Sequence, residues 1–409
     1  MTDSIERVAK GDRKISIAIV TYFVANAGNL ATKTILPIPE SMWGMVSILF
    51  GMLILFSFAA CIGEVYRRNK KLLLKSYALF AFLYVISIVL ATFRGEPINL
   101  IISGSAFLTF AWWIPLGVFA CSIRDLSVLY NIAIKGSFII SALCFCMFIL
   151  HPVDTAHEDY NMSFGNAIIL PLLFQINEFR KKHNLLLLAF VIIEILIVLI
   201  YANRGILLSL IFFIIYQAIF SASRRTRIIV ITAMVAIFGV FAIYVSTIAE
   251  DLLAFFDQYG FQSRTVTMIA GGSFGYGSGR EDIWNNCFNM ISEKPIFGWG
   301  LGGEFYHLGK LDGVAEINSS FHPHNGLIQC FVNFGVFGGA IACIIMLIPL
   351  FRLGRIKDPW RYQLILIFGA SRLIPCCVSA SGIFILPEIA IYYYLYYHYK
   401  TNNKKGMSL

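Results

Sequence analysis

Apolar runs of about twenty residues recur from one end of this chain to the other, and a helix of that length crosses a hydrocarbon core about 30 Å thick. Inside lipid no water satisfies backbone polar groups, so each run must be a helix or part of a closed barrel. The alternating ten-residue pattern of a barrel strand is absent. The residues are 58% hydrophobic and 13% charged, too few charges to solvate the surface of a chain this long. The pattern predicts an all-α, polytopic transmembrane helical bundle of about 12 spans. They fall near 15–36, 42–63, 72–92, 98–122, 127–150, 162–178, 185–202, 205–222, 228–248, 325–351, 362–378 and 381–399.

The net charge of +9 does not point to nucleic acid, because the basic residues sit in short clusters between apolar runs. Arg67 to Lys71, Arg180 to Lys182, Arg224 to Arg227, Arg352 to Arg361 and Lys400 to Lys405 all follow even-numbered spans. The stretch from His151 to Tyr160 is acidic and falls on the opposite side. This is the positive-inside pattern, with both termini cytoplasmic. Arg7, Lys10, Arg13 and Lys14 before the first run look like a signal peptide, but no small-residue cleavage site follows, so an uncleaved first helix is expected. The nine cysteines lie mostly in apolar segments and show neither metal spacing nor a disulfide framework.

The alternation divides the chain into spans 1–9 (1–248), a long polar loop (249–324) on the outer face, and spans 10–12 with a cytoplasmic tail (325–409). A loop that long is usually functional. Within it, Ser278 is placed to cap a helix from about Arg280 to Pro295, with Ile283, Trp284, Phe288 and Ile291 along one side.

Four outer-face features carry candidate chemistry. Asn203-Arg204-Gly205 sets a guanidinium between apolar runs, where it must snorkel or be paired. Gly275-Tyr276-Gly277-Ser278-Gly279 precedes Arg280; glycines before a helix can offer N–H groups to an anion, although this spacing fits no P-loop or dinucleotide fingerprint. Pro295-Ile296-Phe297-Gly298-Trp299-Gly300 reads as a tight turn whose aromatics are interface anchors or a sugar-stacking platform. His322-Pro323-His324-Asn325 has too few ligands for a metal; one histidine acting as a base is the better functional reading, and for His322 an exposed loop residue is the simpler one.

In this order the features resemble the O-antigen ligase/polymerase superfamily of bacterial surface polysaccharide assembly. The ligase-type signature of Arg, three residues and Leu is Arg204 to Leu208. The signature His-Asn, nine residues, Gly, two residues, Gly is His324-Asn325 with Gly335 and Gly338. Arg280 with Trp284, and the Pro295–Gly300 turn, lie between them. The resemblance covers about residues 200–345 and implies a metal-independent glycosyl transfer without cofactor, on the outer face of the bacterial inner membrane. Donor and acceptor would be glycans on undecaprenyl diphosphate, with a chain-length regulator as a further partner the resemblance allows. It implies catalytic roles for His324, Arg204 and Arg280, and substrate contacts from Asn325, Asn203, Trp284, Trp299 and His322. The Gly277–Trp284 segment favours a polymerase over the alternative, a ligase that moves the finished glycan to lipid A-core. A lipid-linked oligosaccharide flippase is the alternative of another class; it would place polar residues near the midplane in two similar halves, and no such similarity is visible.

The topology is testable. Alkaline phosphatase fused after Gly260 or Gly303 is expected to be active, and fused after Arg225 inactive; an active fusion at Arg225 would overturn it.

Overall fold

A computed structural model describes residues 2–102, 106–150, 162–201, 204–221, 247–258, 280–311, 322–378 and 386–406, with a few single positions between 228 and 271. At 2–5, 100–101, 162–163, 200–201, 204, 220–221 and beyond 398 only the backbone is described. The described chain is helical and contains no strand. Its helices are α1 (Thr2–Ile35), α2 (Trp43–Phe93), α3 (Ile98–Ile101), α4 (Ile114–Ser122), α5 (Leu126–Leu150), α6 (Met162–Lys182), α7 (Leu185–Tyr201) and α8 (Arg204–Ser221). They continue as α9 (Arg280–Glu293), α10 (Gly303–Leu311), α11 (Gly326–Arg352), α12 (Pro359–Val378) and α13 (Pro387–Gly406). Among the described residues, four helical stretches are long and apolar enough to cross a membrane: Glu6–Ile35, Glu40–Phe93, Leu126–Leu150 and Gly326–Arg355. Thr109–Ser122, Leu185–Leu199 and Gly205–Ile219 are shorter apolar helices. The expected span 228–248 lies almost wholly outside the described residues.

At the basic cluster after span two the helical conformation breaks at Asn69 (φ −136°, ψ 34°), so α2 is two helices joined at a kink between the expected spans 42–63 and 72–92. The amide Nδ2 of Asn69 donates to Ser122 Oγ at 2.9 Å. Two expected spans, 98–122 and 325–351, take a different form. The run 98–122 breaks into α3, a π-turn at Thr109–Trp113 and α4. The run 325–351 is not one straight helix. At Gly335 (φ 70°, ψ −173°) the chain leaves the helical conformation, and α11 folds back on itself.

The evidence for that hairpin is steric. In a straight helix Phe331 and Gly339 would be about 12 Å apart. Here a Cβ on Gly339 would sit 2.6 Å from the Phe331 Cα, and the Cys343 thiol reaches Leu327 O at 3.9 Å. Gly335 holds a left-handed φ that side chains resist, and a Cβ there would lie 2.4 Å from Ile296 O.

The chain packs as two units that cut across the division by sequence position. The first comprises 1–15, 61–126 and 277–409; the second comprises 16–60 and 127–276. In the first, α4 packs on α13 and α13 on α12. Gly117 lies under the ring of Tyr394, so close that a Cβ would meet it at 2.3 Å. The buried Asp12 carboxylate pairs with Arg68, which also bonds Glu64 and Ser122 O, so a charge on α1 is matched by a fork from α2. In the second unit, α6 packs on α7 and α8, with a buried polar seam described below.

Gly335→Ala is expected to lower stability by about 2 kcal/mol from the left-handed backbone and the blocked approach. Gly63, which has open space around its missing Cβ, should tolerate alanine. Thermal unfolding in detergent compares the two; equal melting would argue against the hairpin.

Candidate active site

The hairpin of α11 creates a chemical problem that the polar loop solves. Interrupting a helix leaves its last carbonyls without partners. The Pro295–Gly300 turn supplies the donors: Trp299 N donates to Val332 O at 2.8 Å and Gly300 N to Asn333 O at 2.9 Å. In return Val336 N donates to Pro295 O at 2.7 Å. Gly298, at φ 64°, allows this approach, since a Cβ there would lie 2.5 Å from the backbone of Asn333 and Gly335. The two glycine-rich segments read separately in the sequence therefore form one clasp.

Helix α9 packs against this clasp. Cys287 and Met290 are buried with Trp299, Leu308 and Val332, and Ile283, Ile291 and Ile328 close the edges. The helix begins at Arg280 as expected, while Ser278 lies outside the described residues. Its inward face differs from expectation: Phe288 is exposed and Cys287 takes its place. Trp284 donates its indole N–H to Pro323 O at 2.9 Å, tying α9 to the histidine segment.

Trp299 is packed inside this module rather than displayed on its surface. It is only 7% exposed, donates Nε1 to Met290 O at 2.9 Å, and has the His307 ring centroid 3.7 Å from its own. Burial against α9 and α10 leaves it no open face. The exposed aromatic of that turn is Phe297.

The histidine segment sits at the start of α11. The Asn325 side-chain oxygen caps the helix, accepting from Leu327 N at 2.9 Å and Ile328 N at 3.2 Å. That occupies the oxygen and leaves its amide N–H groups as the part open to a substrate. His324 is held at φ 50°, an uncommon conformation for a residue other than glycine. Its ring centroid lies 4.2 Å from that of His322, which is half-buried rather than exposed. The His324 Nδ1 is buried and has no hydrogen-bond partner among the described residues. Burial, with His322 and Arg280 adding like charge, pulls this imidazole down to about 4. The ring is therefore neutral at pH 7, and Arg280 is near enough for its charge to act on it.

Arg280, Trp284, His322, His324 and Asn325 thus come together on α9 and the head of α11. Arg204 opens α8 in the second unit, and its side chain is not among those described. Asn203 lies outside the described residues.

Two polar groups outside the expected site residues support this module. Glu304 of α10 is fully buried; Gln329 donates to it at 2.7 Å, and Asn333, with its amide nitrogen turned inward, donates at 2.7 Å. Burial raises its carboxyl even so. Arg94 donates to Trp299 O at 2.6 Å and forks onto Glu96, which also bonds His307 at 2.8 Å. Burial alone would raise the Glu96 carboxyl, but the bonds from His307 and Arg94 hold it below its ordinary range. The signal for the second group was present in Arg94-Gly95-Glu96-Pro97, two opposite charges at the end of an apolar run.

Neither the curated proteins nor the solved structures offer a match to this chain. A family model does: residues 168–343, a little under half of the chain, match the model described as O-antigen ligase. The match spans Arg204, Arg280, His324, Gly335 and Gly338, and it agrees with the resemblance to the O-antigen ligase/polymerase superfamily read from those residues.

Proposed function

We propose that this protein is a glycosyltransferase of the bacterial inner membrane, with both termini cytoplasmic, that joins undecaprenyl-diphosphate-linked repeat units into a surface polysaccharide. The observation that carries the reading is a neutral, strained imidazole beside an arginine, with Nδ1 buried and unpartnered among the described residues. An arginine fork binds diphosphate oxygens in pairs, as lysine does not, and stabilises charge that develops on a diphosphate leaving group. Arg280 has that role here, and the superfamily motif gives the same role to Arg204.

The reaction is a single displacement with inversion. The acceptor hydroxyl oxygen attacks the anomeric carbon of the donor, and the bond from that carbon to the diphosphate oxygen breaks. The electron pair leaves with the lipid diphosphate, and the hydroxyl proton passes to the neutral imidazole of His324. A resting value near 4 makes the imidazole a weak base, but it is nearly always in the form that accepts a proton. A bound diphosphate adds negative charge nearby and strengthens the base at the moment it is needed.

The Gly277–Trp284 segment supports polymerase. The description of the matching family supports the second reading, a ligase that moves the finished glycan onto lipid A-core. Purified protein given lipid-linked repeat units separates the two: a polymerase lengthens them, and a ligase leaves their length unchanged but loads an added core acceptor.

His324→Ala is expected to lower the rate by about 10²- to 10⁴-fold with folding retained, and His322→Ala to be mild. Alanine at Arg280 or Arg204 should abolish transfer, with lysine rescuing only in part. A normal rate in His324→Ala would remove the base assignment. The acid limb of kcat/KM reports the free enzyme. It should therefore stay flat as pH falls from 7 to about 5 and drop only toward about 4, where His324 takes up its proton. An acid limb near the ordinary histidine value would assign the base elsewhere.

A further inference from the structure

The second unit holds a carboxylate that the reaction does not use. Glu194 sits in the middle of α7, in Leu-Leu-Leu-Leu-Ala-Phe-Val-Ile-Ile-Glu-Ile-Leu-Ile-Val-Leu-Ile-Tyr, and is completely buried. An ionisable side chain within an apolar helix is costly and, when retained, usually functional. Around it stand Gln175 of α6 and Ser141 of α5, both buried. Gln175 Nε2 donates to Ser141 Oγ at 2.7 Å and to Glu194 Oε1 at 3.3 Å. Ser141 also bonds the carboxyl.

Two oxygens of this group find no partner among the described residues: Glu194 Oε2 and Gln175 Oε1. Both are acceptors, so what is missing is a donor or a positive charge. The contrast lies further along the same helices. Glu178 on α6 is paired with Lys182 at 2.7 Å and accepts from Tyr130, which in turn accepts from Asn177. Among the described residues, no lysine, arginine or histidine pairs with Glu194. Among the described residues, the Cys144 thiol of α5 feels its charge. A water molecule would satisfy two acceptors but would leave a carboxylate buried without counter-charge.

We propose that Glu194, Gln175 and Ser141 form an intramembrane site for a small monovalent cation, a proton or sodium. The carboxylate supplies the charge, the two orphaned oxygens supply the acceptors, and Ser141 with Gln175 sets their geometry. A proton converts the carboxylate to the acid; sodium would be held by the same oxygens.

The test uses the intact protein in liposomes and dicyclohexylcarbodiimide, which enters lipid and reacts with protonated carboxyls, with labelled peptides read by mass spectrometry. Glu194 is expected to be labelled, and Glu194→Gln to lose that label. Labelling should fall by on the order of tenfold per pH unit above the midpoint. At fixed alkaline pH, protection by sodium chloride but not by choline chloride identifies sodium as an occupant; equal labelling in both salts identifies the proton alone. Ser141→Ala and Gln175→Leu remove donors to the carboxylate, so each should move the labelling midpoint to higher pH. An unlabelled Glu194, or labelling indifferent to pH and sodium alike, overturns the site. A midpoint unmoved by both variants overturns the three-residue grouping.

Discussion

Three backbone hydrogen bonds between the Pro295–Gly300 turn and the fold-back at Gly335 hold the candidate active site together. They exist because a helix cannot simply stop in a buried place: Val332 O and Asn333 O need donors, and an unpaired buried carbonyl costs about 1–3 kcal/mol. The turn meets that need with Trp299 N and Gly300 N. The polar loop is therefore, over its described part, a structural cap for the helix that His324 heads. Glycine is required at Gly298 and Gly335 because the two backbones touch there and each has a left-handed φ.

The spacing of the histidine motif now has a mechanical meaning. His324 takes the left-handed turn, and Asn325 caps the helix with its side-chain oxygen. The residues 326–334 form the outgoing arm, and Gly335 reverses the chain. Gly338 and Gly339 have no side chain where the returning arm presses on Phe334 and Phe331. The motif thus fixes where the imbalance of charge and solvation around His324 occurs. The ring is desolvated by burial, and the charge of Arg280 acts on it from α9.

Around the clasp, buried polar groups lock parts of the first unit to one another. Glu304 receives both Gln329 and Asn333 from the outgoing arm of α11, and Arg94 holds the carbonyl of Trp299 while Glu96 holds His307. Each of these bonds is charge-assisted or buried, so breaking one leaves a costly orphan. Ser87 of α2 adds a further tie by accepting from Leu301 N at 3.1 Å. The second unit shows the opposite arrangement, a carboxyl at Glu194 whose acceptors outnumber its donors.

The sequence by itself determined that the chain is helical and built for lipid, because runs such as 127–150 and 185–202 have too few polar groups to exist in water. It also drew attention to Arg280, His324 and the glycines of 295–303 and 335–338, since they break the apolar pattern around them. The same pattern misled at α11. Apolar residues dominate from Leu327 to Leu350, broken by Gln329 and Asn333, and hydropathy is blind to one left-handed glycine that turns a span into a hairpin. The burial of Trp299 was not legible either, because its place in a core depends on α9 and α10 closing over it. Partnership between Glu304 and Gln329, Arg94 and Trp299, or Glu194 and Gln175 was beyond the sequence for a simple reason. Each pair lies far apart along the chain, and only packing decides which buried polar groups meet and which are left without a partner.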